Sequence, residues 1–535
     1  MARYEKYLYP SLLLMVLSLI FFPAFFMNYG YSDDFSLFVK GFGPFPVHVY
    51  RDFFQALGRP GSTVYYSIAS WLINDLDGLR ILRYFALVQV CICGGVFMYF
   101  LEKILSNRLQ AFLVSLMILT LPPFEVYISW SLVSHAPFAL LLSILSAWSA
   151  SKISINDTLT KRLINKFVVV SAVLLLGSCL IYQSGIAFYW VMVFLYLFAA
   201  KNEQPVQELF KKAVNYFYTG FLGLAGYFGY LQFNKHYADY VNAGNVINPV
   251  YNTTGLSFDV MNKLSWFVRE PLFNTLNLWN VFPKVWVAVV IGGIIVITFL
   301  IKAVISKNKQ QFWFFALLFI ICFFMSFLPN LVSKGNAPFY RCCVGISVLT
   351  MVALVLSVKY WCSVLSDKKF KKLFVGLLFA GAIVGGFFAA KNVYIYRVLP
   401  SNLEVRYIKN AMQDILNYGK NDLFLVYPSK FAAQARYDEF GTLTTNFKDN
   451  IFSIYNCMFR EIVKDKGWKI IGMNFGSTND ALVLVYKMQD NKDVNKVYEQ
   501  EIYLRFTLGD KKPHDLTLIN TQVLLDTIQS GFWKY

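Results

Sequence analysis

Charge is what this 535-residue chain has least of. Asp, Glu, Lys and Arg together make up 15% of it, against roughly 25% in an average soluble protein. With a mean hydropathy of +0.49, that scarcity excludes a soluble enzyme, a disordered chain and a disulfide scaffold. Histidine is sparser still, with four in the chain. His48, His135, His236 and His514 are scattered, and no Cys-x-x-Cys or Cys/His spacing accompanies them, so no metal centre is expected. Seven of the eight cysteines fall in or beside apolar runs and Cys457 is alone beyond residue 390, which excludes a disulfide within that tail. Internal repeats and low-complexity stretches are missing too.

What the chain has instead is apolar and aromatic residue, 57% and 18% of the total. Its formal charge of +18 invites a nucleic-acid reading, and the location of the charge rejects it. Residues 391–535 hold 19 basic and 16 acidic residues, while the first 390 hold 30 and 15. The excess therefore sits in loops between hydrophobic runs, as membrane topology requires.

A membrane helix needs about 20 predominantly apolar residues. Spans are read near 8–27, 82–101, 109–123, 134–150, 167–183, 186–200, 213–232, 285–302, 311–329, 342–361 and 373–390. The first is long and ends in aromatics, not in a small-residue cleavage site, so a cleaved signal peptide is not expected. With the N-terminus in the cytoplasm, that side receives 19 basic and six acidic residues, and the opposite side of the membrane part 11 and nine. The bias orients the chain with a cytoplasmic N-terminus and an external C-terminus, periplasmic in a Gram-negative cell. The expected fold is a polytopic α-helical membrane protein of about eleven transmembrane helices over 1–390, with long outer loops at 28–81 and 233–284. A small α/β domain over 391–535 follows on the outer face. In it Ser401–Tyr418 and Ile451–Val463 carry helical spacing. Leu423–Tyr427, Trp468–Met473 and Ala481–Tyr486 read as strands, the last two flanking the turn Gly476-Ser477-Thr478-Asn479.

The first outer loop opens Asn28-Tyr29-Gly30-Tyr31-Ser32-Asp33-Asp34. Adjacent carboxylates at a membrane surface suit a proton-accepting base; equally, Ser32, Asp33 and Asp34 could cap the helix that follows. Farther on come Arg51-Asp52 and Gly58-Arg59-Pro60-Gly61. An arginine in a tight turn at headgroup depth suits a phosphate through its planar donor fork, or snorkels to lipid. Glu125 follows Pro122-Pro123, with Trp130 and His135 close in sequence. It is a candidate acid at the membrane edge or a solvated helix-end residue. Asp75 and Asp77 read as ordinary turn residues. Tyr237, Tyr240, Asn252, Trp266 and Trp279 of the second long loop form an acceptor groove or an interfacial aromatic belt.

A first span, the Tyr-x-Asp-Asp start of the first outer loop and a downstream Gly-Arg-Pro resemble the Gtr-type O-antigen glucosyltransferases, integral-membrane enzymes of the broad GT-C class. Tyr182-Gln183-Ser184 at the end of the fifth span and Arg341 at the start of the tenth are also similar to that family. The resemblance covers roughly residues 10–350. Gly61 departs from it, since an apolar residue is expected after Gly-Arg-Pro. The resemblance implies transfer of a sugar, glucose, from a polyprenyl-phosphate donor to lipid-linked O-antigen on the outer face of the bacterial inner membrane, with inversion. Asp33 or Asp34 would be the base. Arg59, Lys334 and Arg341 would stabilise the departing phosphate. Tyr182, Gln183, Glu125, Trp130 and His135 would hold the sugars. No cofactor is implied, with a divalent cation left open; the partners are the two lipid-linked substrates and membrane lipid, not nucleic acid.

Two other readings stand beside it. An O-antigen polymerase or ligase uses the same compartment and donors, but tends to place its key residues in a large late outer loop. A polyprenyl-linked oligosaccharide flippase or transporter would more often bury charges mid-span, and here the acids cluster at one face. A metal-dependent phosphoethanolamine-type transferase lacks its metal cluster.

Overall fold

The structure is a computed structural model. It describes residues 2–30, 34, 54, 55, 57–69, 76–154, 165–241, 257, 259–281, 284–336, 339–364, 368–399, 401, 402, 406 and four strands between 422 and 520. Asp33, Arg51-Asp52, Asp75 and Cys457 lie outside the described residues, as do most of the expected tail helices and residues 242–256 of the second long loop.

The chain folds as two compact units. One comprises Met1–Phe25, Pro46–Trp71 and Ile81–Val393; the other comprises Phe26–Phe45, Leu72–Arg80 and Tyr394–Tyr535. The protein is mostly helical. Among the described residues six helices are long and apolar enough to cross a membrane: Asp77–Leu105, Ser131–Ala150, Val285–Ile305, Lys309–Val332, Val344–Val364 and Lys372–Val398. A seventh span is a pair, Arg108–Leu119 and Pro122–Ser129, bent by 66°.

The expected count of eleven is thus not reached, although each run read as a span is helical. The run at 109–123 breaks because Pro122 and Pro123 have no N–H to continue the ladder. Leu8–Ile20, Lys166–Ile181 and Gln183–Ala199 are apolar but shorter. The run at 213–232 lies inside a 36-residue helix, Val206–Val241, whose hydropathy is diluted by Glu208, Lys211, Lys212 and a series of tyrosines.

The centre of the first unit is Ile186–Ala199. It is apolar on every side, and Ile186 through Leu195 are all buried, as a helix without a polar face must be. The helices Ala136–Ala150, Lys309–Val332 and Val344–Val364 pack around it. Since hydrocarbon gives no hydrophobic drive between helices, small residues and hydroxyl bonds hold them together. Ala136–Ala150 and Lys166–Ile181 are joined this way: Ser143 Oγ donates to Ser178 Oγ at 2.9 Å, Ser178 Oγ to the Ala139 carbonyl at 2.8 Å, and Ser146 Oγ to the Ser171 carbonyl at 2.7 Å.

In the second unit four strands form a sheet in the order β2-β3-β1-β4, where β1 is Asp422–Val426, β2 Trp468–Ser477, β3 Leu482–Asp490 and β4 Thr517–Asn520. The β2/β3 and β1/β3 pairs are antiparallel and β1/β4 is parallel. The three strands read from sequence correspond to β1, β2 and β3, with β2 running into the first half of the expected turn, to Ser477. In the same unit Asn402 Nδ2 donates to the Asn28 carbonyl at 2.8 Å, and Asp34 and Arg397 are fully buried.

Close helix approach generates a prediction. A Cβ on Gly345 would lie 2.7 Å from both Ala187 Cβ and Ser326 Cβ, neither of which can rotate away. Gly345→Leu should lower the thermal unfolding midpoint of the detergent-purified protein, in line with an overpacking cost of about 1–3 kcal/mol. An unchanged midpoint would mean the three helices do not meet there.

Candidate functional site

The turn carrying Arg59 is dictated by its neighbours. Gly58 has φ +71°, and a Cβ there would sit 2.7 Å from Leu231 Cδ2 and 3.1 Å from the Tyr227 hydroxyl, so the position calls for glycine. The Tyr227 hydroxyl donates to the Gly58 carbonyl at 3.3 Å. Pro60 then starts the helix Pro60–Ala69, where its missing N–H costs nothing. Gly61 also has a reason. A Cβ there would lie 2.7 Å from Ile181 Cγ1 and 3.1 Å from the Leu180 carbonyl. Its absence lets the new helix close on the end of Lys166–Ile181, where Ser62 Oγ donates to the Ile181 carbonyl at 2.5 Å.

Arg59 is half-buried and held from one side. Its Nε donates to Gln183 Oε1, and its guanidinium lies 4.5 Å from the centre of the Tyr182 ring. Gln183 in turn donates through Nε2 to the Leu57 carbonyl at 2.6 Å, closing a loop of contacts around the turn. Among the described residues no carboxylate pairs with Arg59. A cation gripped by an amide and a ring keeps donors for an anionic guest.

Tyr182 begins an aromatic array. Its ring lies 5.4 Å from His135 and 6.2 Å from Tyr127, both edge-on. His135 is buried, with Nδ1 2.8 Å from the Tyr66 hydroxyl, and its Nε2 meets no hydrogen-bond partner among the described residues. Tyr66 also donates to the Leu132 carbonyl. On the far side the Tyr127 hydroxyl donates to the Arg341 carbonyl at 2.6 Å. Arg341 is half-buried, its guanidinium 4.8 Å from the Trp130 ring and 4.2 Å from that of Phe339. The fold therefore joins Arg59, Gln183, Tyr182, His135, Trp130 and Arg341 in one array through Tyr66 and Tyr127.

Other candidates fall elsewhere. Glu125 is fully buried in the first turn of Pro122–Ser129, so the solvated helix-end reading is overturned. Its Oε1 accepts from Asn392 Nδ2 at 3.4 Å, and that amide also reaches the Trp279 carbonyl at 3.3 Å. Lys334 is exposed. Its carbonyl, with those of Gly335 and the Asn336 side chain, accepts from Lys263 Nζ at 3.5, 2.9 and 2.6 Å. Asp34 belongs to the second unit. Among the described residues no cluster of His, Cys, Asp and Glu could hold a metal.

Sequence reasoning missed Tyr66, Tyr127, Arg83 and Lys263. Arg83 is fully buried and donates through Nη1 to Ser131 Oγ at 3.2 Å; the signal was an arginine just inside an apolar run, which calls for an internal partner. Lys263 is buried on a helix, Val260–Arg269, whose Val260, Met261 and Val268 are exposed. Burial pushes its amine below the ordinary lysine range.

Gln183 serves both Arg59 and Leu57, so Gln183→Leu should loosen the turn without touching the bundle. Two lost hydrogen bonds at about 1 kcal/mol each should speed exchange of the amides between residues 57 and 62 by about thirtyfold. Unchanged exchange there would show that Gly58 packing alone holds the turn.

The pattern described as glucosyl transferase GtrII matches residues 22–358, a stretch that holds the whole Arg59–Arg341 array. No curated protein matches the sequence significantly. With well over half of its length matched and with apolar helices able to cross a membrane, the chain belongs to the GtrII family of glucosyl transferases.

Proposed function

We propose that the protein transfers glucose from a polyprenyl-phosphate carrier to lipid-linked O-antigen on the outer face of the bacterial inner membrane. The observation that supports this reading most is Arg59. It is a cation without a carboxylate partner among the described residues, held by Gln183 and Tyr182 in an array that also contains Arg341. An acceptor hydroxyl oxygen attacks the anomeric carbon from the side opposite the phosphate, which inverts that centre. As the new C–O bond forms, the bond to the carrier phosphate breaks and its electron pair leaves with the phosphate. Arg59 and Arg341 meet the charge that grows there, and the exposed Lys334 is assigned to the same role. A carboxylate takes the hydroxyl proton; Asp33 and Asp34 are assigned that role, Asp34 first. Tyr182, Trp130 and His135, buried beside these two arginines, are assigned to hold the sugars. The charge asymmetry of the loops supports an external C-terminus and hence this outer face.

Glu125 carries the second reading of the base. It is buried, and it shares a helix with Tyr127, which anchors Arg341.

The direct experiment expresses the gene in a host of known O-antigen and analyses the polysaccharide for an added side-branch sugar. An unmodified polysaccharide despite normal membrane levels of the protein would sink the assignment. In the same host, Arg59→Ala and Arg341→Ala should lower transfer by about 10²- to 10³-fold, and lysine at either position should rescue only in part, since the fork is lost. Full transfer by both alanine variants leaves only lipid snorkelling for these arginines.

Asp33→Asn and Asp34→Asn divide base from cap. The base variant should lose about 10²- to 10⁴-fold in rate at normal abundance, and a cap variant should stay near wild type because Asn caps as well as Asp. Normal transfer by both, with loss in Glu125→Gln, moves the base to Glu125. A reporter fused at Tyr535 that reads cytoplasmic removes the outer-face reading altogether.

A further inference from the structure

The helices that carry the array have a second polar end. Leu76–Leu105 holds Arg83 near one end and Lys103 near the other, 20 residues apart, or about 30 Å at 1.5 Å per residue. That is the thickness of a bilayer's hydrocarbon core. At this far end the first unit contains a cavity of about 300 Å³. Lys103, Lys152 and Lys212 line it, against a single acid, Glu203. Among the described residues none of the three lysines has a carboxylate partner. Lys103 and Lys152 rest instead on the rings of Tyr99 and Trp148, at 4.9 and 5.3 Å.

The cavity also holds a buried donor. Asn215 lines it at 4% exposure, and its Nδ2 meets no hydrogen-bond partner among the described residues. A buried amide N–H left unmatched costs about 1–3 kcal/mol, so an entering acceptor is favoured there. Net positive lining and an unmatched donor together call for an anion with several oxygens. Tyr99 and Trp148, which also line the cavity, are 54% and 51% exposed, and such rings are characteristic of a membrane interface. The surroundings are strongly positive as well. Burial and the neighbouring charges of Lys302 and Lys359 push the Lys201 amine down to about 8.

We infer that this cavity is a phosphate-binding site for the headgroup of an anionic membrane lipid, at the end of the helix bundle opposite the Arg59–Arg341 array. Lys103, Lys152 and Lys212 supply the charge, Asn215 donates to a phosphate oxygen, and Tyr99 and Trp148 line the approach. The site does not depend on the transfer reaction proposed above.

The test uses the full chain, purified in detergent and offered either phosphatidylglycerol or phosphatidylcholine, with retained lipid counted by native mass spectrometry. The wild type should retain phosphatidylglycerol about tenfold more than the zwitterionic lipid, a preference worth roughly 1.4 kcal/mol. The triple variant Lys103→Gln, Lys152→Gln, Lys212→Gln should lose that preference, and the triple Lys→Arg variant should keep it. Asn215→Asp, which turns the donor into a repelling acceptor, should reduce it on its own. Displacement by millimolar inorganic phosphate at fixed ionic strength assigns a soluble phosphate as the occupant; resistance to it assigns the lipid. Equal retention by the wild type and the glutamine variant overturns the site. Loss in the arginine variant as well overturns it too, because the lysines would then act through the fold and not through charge.

Discussion

Hydrocarbon offers no hydrogen-bond partner, and that constraint arranges everything else in this protein. A helix inside it must satisfy its backbone alone, so polar side chains survive only where they find one another or where the helices end. The hydroxyl ladder of Ser143, Ser146, Ser171 and Ser178 is the first case. The array around Tyr182 is the second. Each of its members sits at a helix terminus, in a short 3₁₀ turn or beside a break: Arg59 before Pro60–Ala69, Gln183 in the turn Gln183–Gly185, Trp130 between Pro122–Ser129 and Ser131–Val133, and Arg341 in Tyr340–Cys342. Chemistry gathers where the helical ladder stops because only there can donors and acceptors point at something other than themselves.

That sorting explains what could be read without coordinates. The runs of apolar residue located the helices, since composition alone decides what can sit in lipid. Gly58-Arg59-Pro60 announced a tight turn with a cation in it, and Tyr182-Gln183 announced a polar stop between two apolar runs. What could not be read was which stops meet. Nothing in the sequence says that Gln183 reaches back to Arg59, or that Tyr127 fixes the backbone of Arg341. Those pairings span more than a hundred residues and are set by helix packing. Tyr66 and Tyr127 were invisible for the same reason. In an aromatic-rich chain a tyrosine on an apolar face is the common case, and only its neighbours make it particular.

Length and direction are what composition leaves out of a span. Leu8–Ile20, Lys166–Ile181 and Gln183–Ala199 are apolar and helical but short, and Arg108–Leu119 and Pro122–Ser129 read as one run although the chain turns between them. In the tail, β4 escaped notice because Thr517–Asn520 is four residues long and shows no alternation. Its only evident reason to be extended is the edge that β1 presents to it.

The bend after Leu119 has a consequence for depth. At Thr120 the backbone is already being repaired: the Leu121 N–H turns to the Ile118 carbonyl, and the Thr120 hydroxyl takes the Met117 carbonyl at 3.1 Å. Continued straight, the helix would carry Glu125 about 9 Å beyond Leu119 along its axis. Turned through 66°, the same six residues advance only about 4 Å in that direction, and the remainder becomes sideways travel toward Asn392. The two prolines therefore work as a ruler. They set how far Glu125 advances along the axis of Arg108–Leu119, and the acid ends fully buried inside the protein.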